Sequence, residues 1–170
     1  MPCNLTQSYT LGCRDSRGGI KEVLMVEQES VSTITASAGV ITAITMVATK
    51  KFFKYAQEIE NANFQQVITA SDANFTVYYE QDLNIVVNSP SATMWNEMKL
   101  LSQNKLAIII LDNNGKYWYM GQVNGSRLQN STGGTGTAFG DRNGITLAFK
   151  AKEPSFAQEV QSSIIAALTA

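Results

Sequence analysis

The chain has 170 residues, 44% hydrophobic and 16% charged, with a formal net charge of −1 and no histidine. That length and apolar content favour one folded domain over disorder, and the absence of basic runs beyond Lys50, Lys51 and Lys54 removes the electrostatic footprint of a tight nucleic-acid binder. Without imidazole there is no Ser-His or Cys-His nucleophile and no histidine acid–base pair, so the chain reads as non-enzymatic, with no catalytic residue and no cofactor.

The charged fraction lies below the ~25% usual for soluble domains, while Ser, Thr, Asn and Gln are abundant. Uncharged polar surface costs less to desolvate than ions, which suits a protein covered by copies of itself. An ordinary monomeric β-domain rich in Thr and Asn is the alternative.

Residues 1–19 read as an extended arm ending at Arg17-Gly18-Gly19. The start, with Asn4, Thr6, Gln7 and Ser8, lacks the basic region and apolar block of a secretory signal, and no run of about eighteen apolar residues follows. Cytoplasmic folding without membrane insertion is the expectation, and with it reduced thiols at Cys3 and Cys13. Two thiolates without histidine supply half of a tetrahedral ligand set, so no metal site is expected.

Strands are predicted over 20–26, 31–36 and 40–48, the last two separated by Ala38-Gly39. Two more, over 50–60 and 63–70, turn around Asn61-Ala62 and would form a projecting hairpin over 49–71. The first places Phe53, Tyr55 and Ile59 on one face and Lys54, Glu58 and Glu60 on the other. Lys50, Lys51, Lys54, Glu58 and Glu60 are candidate intersubunit contacts, their charges meeting those of a neighbouring copy.

Residues 75–88 alternate strictly, with Phe75, Val77, Tyr79, Gln81, Leu83, Ile85 and Val87 on one face. At roughly 3.3 Å per residue such a strand runs about 45 Å, more than twice the usual length, and points to reach beyond one subunit. Its other face carries Glu80, Asp82 and Asn84, a candidate lumen or seam face. Acid pairs two apart, Glu58 with Glu60 or Glu80 with Asp82, read as solvated outer faces before hydrolytic pairs.

The period then changes. Ser89 as N-cap and Pro90 at the first helical position open a helix over about 90–104, with Met94, Trp95, Met98 and Leu101 facing the sheet. The apolar run 106–111 and the strand 116–121 flank Asn114-Gly115, which predicts an antiparallel hairpin on a type I′ turn. A strand over 123–128 and a flexible glycine-rich loop over 133–140 follow. The latter lacks the Gly-Lys-Ser/Thr ending of a phosphate loop. Asn143-Gly144 leads into a last strand with Ile145, Leu147 and Phe149, ending before Pro154. Beyond it, Phe156, Val160, Ile164 and Leu168 recur every four residues, either as a C-terminal helix or as an arm over 155–170 pairing with a neighbour. Phe156 and Val160 join the candidate intersubunit contacts. The expected body is therefore a β-sandwich or barrel over 20–154 with one central helix on the sheet.

The residues Leu100-Leu101, Asn104-Lys105-Leu106, Asp112-Asn113-Asn114-Gly115, the segment 133–141 and Gly144-Ile145-Thr146-Leu147 resemble small virion structural proteins of tailed bacteriophages. The opening Cys13-Arg14-Asp15 and Gly18-Gly19-Ile20 is similar to the start of the same proteins. Within that group the order of elements most resembles the tail tube, or major tail, protein. The resemblance implies hexameric rings stacked into a hollow tube in the virion tail, assembled in the host cytoplasm. Partners would be the chain itself, other tail or neck proteins, and genomic DNA passing through without sequence-specific binding. Such a lumen should be acidic or neutral. A head–tail connector or capsid decoration protein shares this composition. A small carbohydrate-binding module using Tyr117, Trp118 and Tyr119 is the reading from another class, though alternation turns Trp118 away from its neighbours.

Overall fold

A strand made wholly of apolar residues needs cover on both faces. In the computed structural model, which describes residues 5 and 7–170, the apolar run forms β7 (Leu106–Asp112) inside a seven-stranded sheet. Leu106, Ile108 and Ile110 enter one core, and Ala107 and Ile109 enter another on the opposite face. Its antiparallel neighbour β1 (Ile20–Glu27) divides alike, with Val23 and Met25 in the first core and Leu24 and Val26 in the second. The sheet is completed by β2 (Val31–Ser37), β3 (Val40–Met46), β4 (Phe53–Ala56), β8 (Tyr117–Met120) and β11 (Gln158–Val160), in the order β2-β3-β11-β8-β7-β1-β4.

A second sheet closes the first core. It runs β5-β6-β10-β9, where β5 is Asn63–Ser71, β6 Thr76–Asn88, β9 Arg127–Gly134 and β10 Gly144–Glu153. Leu83, Ile85, Ile145, Leu147 and Phe149 from its inner face are fully buried. Between the edges of the sandwich lies α1 (Ala92–Gln103), whose Met98 and Leu101 reach the same core. The fold is thus mainly β with a helix packed on it, as the patterning predicts. The long strand is a single element of 13 residues, and Phe75 falls just outside it, in the turn, at φ 51.

Several local expectations change. The segment 49–71 is not one hairpin, because β4 pairs with β1 in the seven-stranded sheet while β5 pairs with β6 in the other. Burial of Tyr55 and Ala62 in the first core carries the chain across from sheet to sheet between them. The projecting hairpin is β5–β6, closed by residues 72–75. Ser91 caps α1 in place of Ser89: its hydroxyl accepts the Met94 N–H at 3.2 Å. At the Asn114-Gly115 loop only Gly115 has positive φ, at 83°, so the turn is not type I′. Positive φ at both central residues occurs instead at Ala38 and Gly39, 51° and 82°, between β2 and β3. The strand expected over 123–128 starts only at Arg127, and Gly133 and Gly134 belong to it rather than to a loop.

The C-terminal stripe also divides. Val160 lies on β11, parallel to β3 and antiparallel to β8, and is 2% exposed. Only then does α2 (Ser162–Leu168) begin, burying Ile165 and Leu168 in the second core. Residues 155–170 are therefore part of the body, neither a single helix nor a free arm. Val160 is a core residue of its own chain and not an intersubunit contact.

Because α2 covers the second core, Leu168→Ala should destabilise the fold by about 2–4 kcal/mol. The check is the fall in stability from urea unfolding followed by circular dichroism. A loss below about 0.5 kcal/mol, the range of surface substitutions, would contradict this role for α2.

Candidate self-association surfaces

Alternation turns the even residues of β6 outward, and the register sets what they meet. Glu80 stands opposite Lys152 and Asp82 opposite Lys150, with ion pairs of 3.3 and 3.2 Å. Glu80, Asp82 and Asn84 do share one face, but that face is not acidic: Lys150 and Lys152 offset the two carboxylates, and Arg127, opposite Lys150 on β9, adds a further cation. The lysines could have been read from the period-2 pattern Lys150, Ala151, Lys152, although their partners depend on register. Pairs this exposed contribute about 0–1 kcal/mol, so their effect is on the charge of the face more than on stability.

The four-stranded sheet ends in β5 on one side and β9 on the other. Along the β5–β6 hairpin Val67, Ile68 and Val77 are exposed, and Phe75 at its tip is 96% exposed. The N-terminal arm adds exposed Tyr9 and Leu11, and its root is clamped by the β7–β8 loop. There the Asn114 amide accepts the Arg17 N–H and donates to the Arg17 carbonyl, both at 2.8 Å, while Asn113 donates to the Gly18 carbonyl. Asp112 holds this loop in shape. Burial raises its pKa, but hydrogen bonds from Trp118, Lys116 and Asn114 outweigh that and leave it below the usual carboxylate value.

The five charged residues expected on one hairpin are dispersed. Lys50 pairs with Glu27 at 3.8 Å, Lys54 with Glu22 at 4.0 Å, and Lys51 donates to the Ala167 carbonyl at 3.0 Å. Glu58 and Glu60 lie exposed in the turn after β4. Phe156 rests edge-on against Tyr79, ring centres 4.5 Å apart, and remains half exposed. The aromatic trio does not form a platform. Tyr119 is fully buried, Tyr117 packs on the second core, and Trp118 packs on the first with its indole N–H donating to Asp112 at 3.0 Å. Burial, then the Glu153 charge, push the Tyr119 hydroxyl well above its ordinary pKa.

Two further features had no clear sequence signal. One is a shallow groove of about 100 Å³ where α1 faces β1 and β4, with Phe53 and Leu100 half exposed on its walls and Glu27, Glu97 and Asn104 at its polar side. Burial, then the Glu97 carboxylate, push the Tyr55 hydroxyl in this groove up to about 12. The other is the β9–β10 loop. Asp141 accepts the N–H groups of Thr137 and Ala138 at 2.9 and 2.8 Å, and this holds up a fully exposed Phe139.

Cys13 is exposed, and the thiol expected at Cys3 lies outside the described residues. Among the described residues no group of three or more His, Cys, Asp or Glu could hold a metal ion, and no helix is long and apolar enough to cross a membrane.

The Ala138 and Thr137 N–H groups lower the Asp141 pKa. A depressed folded value means the bonds favour the ordered loop above the unfolded pKa of about 3.9 and are lost as pH falls through the lower folded value. Amide exchange at Thr137 and Ala138, measured against its intrinsic rate at each pH, should therefore stay protected from neutral pH to about pH 4 and lose protection only in stronger acid. In Asp141→Ala it should be fast throughout, and equal protection in the variant would refute the clamp.

Comparison with family models, with curated proteins and with solved structures finds no match for this chain.

Proposed function

We propose that this chain is a structural subunit that assembles into the tail tube of a tailed bacteriophage. One observation carries the reading: a four-stranded sheet open at both edges, with a polar outer face whose two lysines are paired with carboxylates. An edge of nine residues is a liability in a lone subunit. Head-to-tail pairing of β5 with β9 of the next copy removes both edges at once and closes a ring, hexameric by resemblance. The outer face of the sheet then lines the lumen. Its two lysines are matched by carboxylates, leaving Arg127 beside Lys150 as the one unmatched cation among the described residues of that face, so the wall holds the phosphate backbone only weakly and DNA slides through. The activity is the shape of the assembly, and no catalytic group or cofactor enters it. Stacked rings form the conduit, which joins other tail or neck proteins in the virion and is built in the host cytoplasm.

A connector or decoration protein shares these edges but stops at a ring or a capsid-bound oligomer. Electron microscopy of the purified protein separates the readings. Long hollow tubes are expected; discrete rings would favour the connector, and monomers at every concentration would overturn self-assembly.

The lumen assignment has its own test. In Glu80→Lys with Asp82→Lys the wall becomes strongly basic, and tubes should retain DNA fragments at low salt and release them as salt rises, whereas parent tubes retain none. Variant tubes that hold no DNA would remove this face from the lumen.

A further inference from the structure

The β9–β10 loop presents one large aromatic side chain to solvent on a framework that is already ordered. Besides the two bonds to Asp141, the Asp141 N–H donates to the Ala138 carbonyl at 3.0 Å, and the Ser89 N–H donates to the Asn143 carbonyl at 2.8 Å, tying the loop to the end of β6. A preordered aromatic anchor loses little conformational freedom when it docks, and such anchors carry much of the energy of an interface.

The same chain carries a candidate receptor. The groove beside α1 measures about 100 Å³ and is walled by Met25, Phe53, Tyr55, Leu100, Leu101 and Leu106. A closed apolar cavity of roughly 150 Å³ takes up a whole benzene ring, so this smaller, open groove seats part of one. Charge is complementary. Glu97 lines the groove and has no cationic partner among the described residues, while Arg142, three residues after Phe139, bonds only the Asn61 amide at 3.1 Å.

The two features lie toward opposite ends of α1. The loop is rooted near its start, where a Cβ at Gly133 would lie 2.6 Å from the Trp95 ring. The groove lies along its second half, at Glu97, Leu100, Leu101 and Asn104. A helix of 12 residues is about 18 Å long. Phe139 stays wholly exposed, so it does not fill its own groove.

We propose that Phe139 seats in the α1–β4 groove of a second copy, with Arg142 brought to that copy's Glu97. Knob and hole on different surfaces make a heterologous contact that repeats from copy to copy. This deepens the self-assembly reading and rests on it.

The test uses the full chain carrying p-benzoylphenylalanine at position 139, mixed from isotopically light and heavy preparations and irradiated under assembling conditions. Heavy–light adducts on peptides containing Phe53 or Leu100 are expected. Phe139→Ser and Leu100→Arg should each raise the concentration needed for assembly roughly tenfold or more, with an unchanged melting temperature. Tubes that form normally from Phe139→Ser, or adducts confined to other segments or other proteins, would overturn the knob while leaving the tube reading intact. A parent that never self-associates would overturn both.

Discussion

The seven-stranded sheet is apolar on both faces, and the rest of the architecture answers that constraint. Ile108, Ile109 and Ile110 are consecutive and all essentially inaccessible, so neither face of β7 tolerates water. Each such side chain contributes about 1.5–3 kcal/mol on burial, as an upper estimate. The four-stranded sheet and α1 cover one face. The other is covered by residues that the chain must bring back from its far end. There the Phe52 N–H donates to the Leu168 carbonyl at 2.9 Å and the Ala170 N–H to the Phe52 carbonyl at 3.1 Å, clasping α2 over the second core. In the sheet order β11 is what joins the β2–β3 hairpin to β8. Residues 158–168 are thus built into the body of their own chain.

How much of this could be read beforehand depends on how local the cause is. The alternation of residues 76–88 places Glu80, Asp82 and Asn84 on one face whatever their neighbours are, and the β7–β8 hairpin follows from two apolar runs around Asn114-Gly115. Strands of three or four residues carry no period, so the pairing of β4 with β1 and the insertion of β11 were invisible. The spacing of Val160, Ile164 and Leu168 mimicked one helix because a short strand and a short helix bury residues in the same core in succession. Asn113 and Asn114 were legible as turn residues, but their use as a clamp on Arg17 and Gly18 joins residues about a hundred positions apart. The candidate contacts Lys50, Lys51 and Lys54 dispersed for the same reason: each found a partner made available by tertiary pairing.

Polar groups inside the sandwich explain how the two sheets are joined. Gln81 is the one polar side chain in the apolar row of the long strand, and it is 1% exposed. It accepts the Gly121 N–H at 3.0 Å and donates to the Ser155 carbonyl at 3.3 Å. Glu153, equally enclosed, accepts the N–H groups of Val123 and Asn124 at 3.0 and 2.8 Å. An unmet buried donor costs about 1–3 kcal/mol, so the loop between β8 and β9 is held by bonds it cannot cheaply lose. That loop carries the chain from the seven-stranded sheet to the four-stranded one.

Register then couples the interior to the proposed lumen. The pairing that sets Leu83 opposite Phe149 and Ile85 opposite Leu147 inside also sets Asp82 opposite Lys150 and Glu80 opposite Lys152 outside. A slip of one residue would exchange the two faces of a strand, bringing charge into the core and apolar rows to the surface. The hydrophobic core therefore selects the register, and the register sets a carboxylate against each of the two lysines of the outer wall while leaving Arg127 opposite Lys150. A wall whose lysines are met by cross-strand carboxylates offers DNA little basic surface without any acidic excess. That pairing persists only while the sandwich is packed, so the slickness of the proposed conduit is a property of the folded subunit and not of its amino-acid composition.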